Sequence, residues 1–247
     1  MVEKARTACQ RTGASFTTIE TLEDHDLGGV DCDKCNNTGY LLRVDADGIQ
    51  WSRECPCMKT RRSLRNIRNS GIADMMKRYT FDNYIVDNEI RKKIKERAIK
   101  FASEDTGWFI ITGRSGSGKS HICTAICGKL IEDGAETKYM QWRSDSVNLK
   151  AKLNTPEYEY AVQKYIDVPV LYIDDLFKGT ITPADINLAF QILNGRYLDY
   201  DKRTTISSEI PMERMFDEDE AVAGRIYERT KGYCFKAPDE NYRLRVL

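Results

Sequence analysis

The stretch "GWFIITGRSGSGKSHICTAICGKLIEDG", residues 107–134, limits what this chain can fold into more than any other. Trp108 to Ile111 form a continuous apolar run of the kind buried in a parallel sheet. Ile122, Ile126 and Leu130 then recur at helical spacing, and Gly134 is placed to stop that helix. Between strand and helix lies G-x4-G-K-S, from Gly113 to Ser120. Glycines there let backbone N–H groups turn inward around an oxyanion, and the positive end of the following helix adds to the attraction. The pattern predicts a phosphate loop for ATP built from Gly113, Ser115, Gly116, Ser117, Gly118, Lys119, Ser120 and His121. Lys119 would reach the β and γ oxygens, and Ser120 would hold Mg²⁺.

A second element, an apolar strand ending in acids, follows further along the chain. "VPVLYIDDLFKG", residues 168–179, is an apolar strand from Val168 to Ile173 that ends in two carboxylates. This is the form of a Walker B strand. Asp174 at the strand end would hold magnesium through water, and Asp175 would orient or deprotonate an attacking water. Further on, a helix with Ile186, Phe190 and Leu193 inward precedes the strand "TTISS", whose polar tip puts Ser208 or Glu209 toward the γ-phosphate or simply ends a strand. In "EDEAVAGRIYERTKGY", Arg225 follows Gly224 on a helix, with no evident partner in its own chain beyond the preceding acidic run.

Ahead of this body lies a cysteine-rich head. Lys plus Arg and Asp plus Glu number 38 each, so no global field draws the chain to nucleic acid or a membrane surface. The N-terminus lacks the apolar core of a signal peptide, and no run of about 18 apolar residues occurs. The expectation is a soluble cytoplasmic protein, where clustered thiols favour metal over disulfides. Cys32 and Cys35 form a C-x2-C knuckle; Cys55 and Cys57 form a C-x-C knuckle after a hairpin-like stretch turning at Asp47 and Gly48. Four thiolates match a closed tetrahedral zinc site. Cys9, Cys123, Cys127 and Cys234 read as packing residues. The run "MKTRRSLRNIRNSG" predicts a short basic helix ending at Gly71, with Lys59, Arg61, Arg62, Arg65 and Arg68. It reads first as a solvated face, and otherwise as a contact for DNA phosphates or an acidic partner. "YTFDNY", residues 79–84, opens a second domain, so the boundary falls near residue 78.

In this order the parts resemble the AAA+ ATPases of the DnaC/DnaI helicase-loader family, with the related transposition ATPases of IstB type. "CDKCNNTGY" with "CPCM", then "SGI" and "YTFDNY", is similar to the zinc-bearing N-terminal region and junction of such loaders; "GRSGSGKS", "YIDDLF", "NGRY", "TTISSE" and "AGRIYERT" are similar to the ATPase segments. The resemblance implies an α/β fold: an AAA+ core, a parallel sheet flanked by helices without a separate lid, over 79–247, after a small zinc-binding domain over 1–78. It implies an ATPase that loads a hexameric replicative helicase onto single-stranded DNA. The N-terminal domain would grip the helicase, and the protein would form a homo-oligomer when helicase-bound. Arg225 would be the arginine finger that completes a neighbour's site, and Arg243 a contact to phosphate. Lys150, Lys152 and Lys178 become candidate DNA contacts. One departure stands out: Glu209 occupies the sensor-1 place where the family commonly has Asn, and a carboxylate beside a γ-phosphate repels it unless protonated or paired. The other readings are an IstB-type partner of a transposase, a small-molecule P-loop kinase, and a nucleotide-binding module that does not hydrolyse.

Overall fold

The computed structural model describes residues 16–17, 30–44, 48–70 and 73–244, with the backbone alone for 16–17, 66–70 and 243. Cys9, Asp47 and Gly71 therefore lie outside the described residues, as does the Arg243 side chain. Two compact units divide at Arg62 and Ser63; the expected boundary near residue 78 lies inside the second of them.

In the first unit, the antiparallel pair β2 (Tyr40–Val44) and β3 (Gln50–Glu54) confirms the hairpin, with Leu41 opposite Arg53 and Arg43 opposite Trp51. A short strand, β1 (Phe16–Thr17), joins the outer edge of β2 and carried no signal in the sequence. The basic run forms α1 (Cys57–Ser70), which crosses the division between the units. Its charges do not share one role. Arg61 is buried and donates to Asn37 Oδ1 at 2.8 Å, and Arg62 grips Glu54 through two bonds at 2.7 and 2.9 Å. Arg65 and Lys59 are on the surface, and the Arg68 side chain is outside the described residues. The run is thus partly structural, not a uniform basic face.

The second unit opens with α2 (Ala73–Arg78) and α3 (Glu89–Ser103), then a five-stranded parallel sheet. Its strands are β4 (Trp108–Thr112), β5 (Thr137–Gln141), β6 (Val170–Asp174), β7 (Arg203–Ser208) and β8 (Cys234–Lys236), in the spatial order β5-β6-β7-β4-β8. All five residues of both β4 and β6 are buried, as a sheet covered on both faces requires. Alternate side chains enter opposite layers. Trp108, Ile110, Leu171, Ile173 and Ile206 meet the helices α7 (Pro183–Tyr197) and α9 (Glu220–Arg229). Phe109, Ile111, Val170 and Tyr172 meet α3 and α4 (Lys119–Glu132). Ile122, Ile126 and Leu130 of α4 are fully buried, and Gly134, at φ +85°, closes the helix by donating to Ile131 O.

The inner face of α7 differs from the expected one. Asp185, Leu188, Ala189, Ile192, Leu193 and Arg196 are buried, whereas Ile186 and Phe190 sit at the margin. α5 (Trp142–Lys150) and α6 (Pro156–Asp167) fill the crossover from β5 to β6, and α8 (Met212–Glu218) precedes α9. Because the strands are parallel, the carboxyl ends of β4, β6 and β7 lie side by side, beside the point where strand order reverses. Ligands bind at that edge in open α/β sheets.

Candidate nucleotide site and cysteine cluster

The loop from β4 to α4 adopts the conformation its glycines allow: φ is +145° at Gly113, +78° at Gly116 and +94° at Gly118. Gly116 has a second constraint, since a Cβ there would collide with the Asn241 side-chain amide, and its carbonyl accepts the Tyr242 N–H at 3.0 Å. Lys119, at the first helical position, is buried at 4% exposure and its Nζ donates to Arg114 O at 2.9 Å, across the loop. Burial, above all, lowers the Lys119 pKa. A cation so poorly solvated gains from an anionic ligand.

Ser120 Oγ donates to Asp174 Oδ1 at 3.0 Å, bringing the two expected magnesium ligands together. Asp174 also accepts from Tyr172 OH at 2.7 Å, Ser207 Oγ at 2.5 Å and, on Oδ2, Tyr139 OH at 3.0 Å. A carboxylate bonded by four hydroxyls is held in one orientation, and one hydroxyl is that of the phosphate-loop serine. Burial first, then the Asp174 charge, pushes the Tyr139 and Tyr172 hydroxyls up, so both stay donors at neutral pH. A small hard cation entering between Ser120 and Asp174 would meet oxygen ligands only, which suits Mg²⁺. Tyr172 was legible, two residues before Asp174 and therefore on the same strand face. Tyr139 and Ser207 arrive from β5 and β7 and carried no local signal.

Asp175 follows at φ +56°. Its N–H donates to Ser207 Oγ at 2.9 Å and its Oδ2 accepts from Lys178 Nζ at 2.7 Å. Lys178 also bridges to Glu209 Oε1 at 3.1 Å. Ser208 does not face this space. It is fully buried, donates to Leu176 O at 2.7 Å and accepts from Ile210 N–H, so its role is to tie the β6 turn to the strand end. The partly exposed tip is Glu209, and the sequence reading of Ser208 as a catalytic residue is corrected accordingly. His121 is corrected likewise: its Nε2 lies 3.0 Å from both Thr80 O and Asn83 Oδ1, and its ring stacks on Tyr79 at 4.8 Å, so it docks residues 79–84 onto α4. A residue not singled out from sequence, Arg91, braces the loop from behind: it is 2% exposed, and donates to Ser117 O at 3.1 Å.

Arg225 has partners in its own chain after all. Its Nε donates to Asn194 Oδ1 at 2.9 Å, NH1 donates to Ala221 O, and the guanidinium lies 4.6 Å over the Phe190 ring. None of its bonds reaches the phosphate loop. Of the three lysines considered for DNA, Lys150 pairs with Asp185 at 2.5 Å and Lys178 with Asp175 and Glu209, which leaves Lys152 exposed.

Cys32, Cys35, Cys55 and Cys57 bring all four sulfurs within 4.8 Å of one another, with Cys32–Cys55 at 3.7 Å and Cys35–Cys57 at 3.6 Å. A Zn–S bond of about 2.3 Å gives a tetrahedral edge of about 3.8 Å, so the donor set fits zinc. Burial opposes ionisation of Cys35, but a Gly39 backbone bond and the neighbouring thiols bring it down to about 7, while burial and the other sulfurs push Cys57 up to about 12. A cation at the centre would offset the repulsion among the thiolates that metal binding requires. Cys123 and Cys127 are buried in apolar packing, as expected.

Strand order and loop chemistry together define an AAA+ P-loop nucleotide-binding protein with a cysteine cluster near its N-terminus. The chain belongs to the IstB-like ATP binding protein family, whose profile matches residues 44–246. It is similar to YqaM of Bacillus subtilis (strain 168), 29% identical over 198 residues, 74% of this chain and 62% of that protein, so it spans less than two thirds of that relative's length. It is 29% identical over 250 residues to the phage-like element PBSX protein XkdC of the same organism, covering 90% of this chain and 87% of XkdC. The replicative helicase loader DnaC of Buchnera aphidicola (subsp. Schizaphis graminum) is 28% identical over 177 residues, 65% of this chain and 72% of DnaC. Crystal structures of DnaI and of the DnaC helicase loader share the fold: each superposes with a TM-score of 0.55 at 18% identity, over 68% and 67% of this chain and 92% and 99% of theirs. Among the described residues no helix is long and apolar enough to cross a membrane.

Proposed function

We propose that this protein is a cytoplasmic ATPase that loads a hexameric DnaB-type replicative helicase onto single-stranded DNA. The observation that carries the reading is a phosphate loop with Lys119 folded across it and Ser120 bonded to Asp174 at the end of β6, in a chain similar to a helicase loader over 65% of its length. In this reading Lys119 binds the β and γ oxygens, and Ser120 and Asp174 hold Mg²⁺, whose charge offsets that building on the phosphates. Asp175 orients the attacking water and accepts its proton. Arg225 leaves Asn194 and completes the site of a neighbouring copy, so turnover depends on assembly. ATP held across such a junction favours one arrangement of the ring, and hydrolysis removes that bias. Residues 1–78, with zinc on Cys32, Cys35, Cys55 and Cys57, contact the helicase. The ATPase unit holds DNA by backbone charge and base stacking, without sequence preference.

ATP turnover measured alone, with single-stranded DNA, and with both DNA and a DnaB-type hexamer tests this. Stimulation by the hexamer, its transfer onto circular single-stranded DNA, and loss of both effects in Arg225→Ala are the expected results. Turnover indifferent to the helicase, with no transfer, would overturn the loader reading.

A further inference from the structure

Two acids stand at the neighbouring ends of β6 and β7, beside the phosphate loop. Asp175 directly follows β6, and Glu209 directly follows β7, where a neutral amide is common in the family that the sequence resembles. An anion entering there would meet two like charges, which in a partly desolvated cleft would repel it strongly. The chain answers this with Lys178. Its Nζ lies 2.7 Å from Asp175 Oδ2 and 3.1 Å from Glu209 Oε1, with all three side chains only about a quarter to a third exposed.

The backbone under Lys178 is fixed for the purpose. Asp175 and Phe177 both adopt left-handed φ, +56° and +61°, a conformation unfavourable for residues other than glycine. Three bonds to the end of β7 hold the turn: Asp175 N–H to Ser207 Oγ, Leu176 N–H to Ser207 O, and Ser208 Oγ to Leu176 O. Leu176 and Phe177 are buried at 0% and 3% exposure. An ammonium carries three donors, and Asp175 and Glu209 take two, so the third has no partner among the described residues. Lys119 feels the same three groups: the Asp175 and Glu209 charges raise its pKa and the Lys178 charge lowers it, against the larger effect of burial. The phosphate loop reaches the same strand end, where Gly113 N–H donates to Ser208 O at 3.1 Å, one residue before Glu209.

We propose that Lys178 is a γ-phosphate ligand of this nucleotide site, anchored by Glu209, and that this ion pair takes the place of the neutral sensor-1 side chain. The inference rests on the ATP-site reading above, but not on the helicase or DNA. Binding of ADP and of the non-hydrolysable β,γ-methylene analogue of ATP, both with Mg²⁺ and without helicase or DNA, separates the two. Lys178→Ala is expected to weaken the triphosphate analogue about tenfold or more and leave ADP within about twofold, because only the γ-phosphate loses a charge-assisted bond. Lys178→Arg should keep most of the affinity. The double variant Lys178→Ala/Glu209→Asn should recover part of the loss, since it removes one unneutralised acid. Unchanged ADP affinity also reports that the variant is folded. Equal losses for both nucleotides, no loss at all, or a double variant no better than Lys178→Ala would overturn the proposal while the nucleotide site stands. If wild type binds neither nucleotide, the ATP-site reading itself falls, and this inference with it.

Discussion

Arg196 shows how much of the nucleotide unit hangs on one side chain far from the phosphates. It is fully buried and donates to six acceptors: Thr204 Oγ1 and the carbonyls of Tyr165, Ile166, Val168, Pro169 and Arg203. Those carbonyls end α6 and start β6 and β7, so one guanidinium closes the edge from which both site-bearing strands begin. Burial lowers its pKa, and the charges of Asp199 and Asp167 oppose that shift. Lysine, a compact donor without the planar fork, cannot span them. Arg196→Lys is expected to cost at least about 3 kcal/mol, because several buried carbonyls lose their donor. The urea midpoint of unfolding checks this, and a shift worth under about 1 kcal/mol would show that the carbonyls find water instead. A hint was present in the sequence: Arg196 continues the i, i+4 stripe of Leu188 and Ile192. A cation on an apolar stripe is either a packing error or a buried donor.

At the scale of elements, α7 follows the turn that bears Asp175 and Lys178 and is fastened at its start. Pro183 occupies the first turn, Thr182 Oγ1 accepts the Asp185 N–H, and Asp185 Oδ2 accepts the Thr182 N–H at 3.1 Å, a reciprocal cap. Lys150 of α5 adds an ion pair to Asp185 at 2.5 Å. Burial alone would raise the Asp185 carboxyl, but the bonds from Lys150 and Thr182 hold it below its ordinary 3.8. A depressed carboxyl stabilises the fold above its unfolded pKa and loses that contribution as pH falls through the folded value. Asp185→Asn should therefore cost about 1–2 kcal/mol at pH 7, with the gap to wild type constant down to about pH 5 and closing below about pH 4. Chemical denaturation across that range measures it; a gap that persists undiminished at pH 3 would place the effect in packing. The capped start of α7 was legible in "TPAD". Its inner face was not, because Leu188, Ala189, Phe190, Ile192 and Leu193 put apolar groups around more than half the helix, and only the layers above β6 and β7 decide which of them is covered. The phosphate loop was legible for the opposite reason: glycine spacing, lysine and serine act within eight residues, so local sequence states the local geometry. The collar of Asp174 lies between these cases, since Tyr172 is local, while Tyr139 and Ser207 depend on strand pairing that no short window contains.

Across the whole molecule, the two units have unequal means of staying folded. Residues 63–247 contain both large apolar layers, one on each side of the parallel sheet. In the first unit, the buried apolar residues among those described are Cys35, Leu41 and Cys55, with Cys32 and Cys57 packed against them, and every residue of β3 is exposed. A core of that size among the described residues is small against the entropy of ordering the hairpin, so a metal bound by the four cysteines would supply most of the stability. The parallel-sheet unit has its own apolar layers, and Lys119, Ser120 and Asp174 of the candidate nucleotide site all lie within it. One zinc per chain is accordingly expected, and its removal with a strong chelator should abolish amide protection across residues 32–57 while leaving ADP affinity within about threefold of the metal-loaded protein. Cys35→Ser should reproduce that pattern without chelator, because three sulfurs no longer close the site. Hydrogen exchange read by peptide, alongside nucleotide titration on the same sample, resolves the outcome. Protection of the hairpin that survives chelation would mean its few apolar contacts suffice, and a collapse of ADP binding would mean that the metal also supports the phosphate loop.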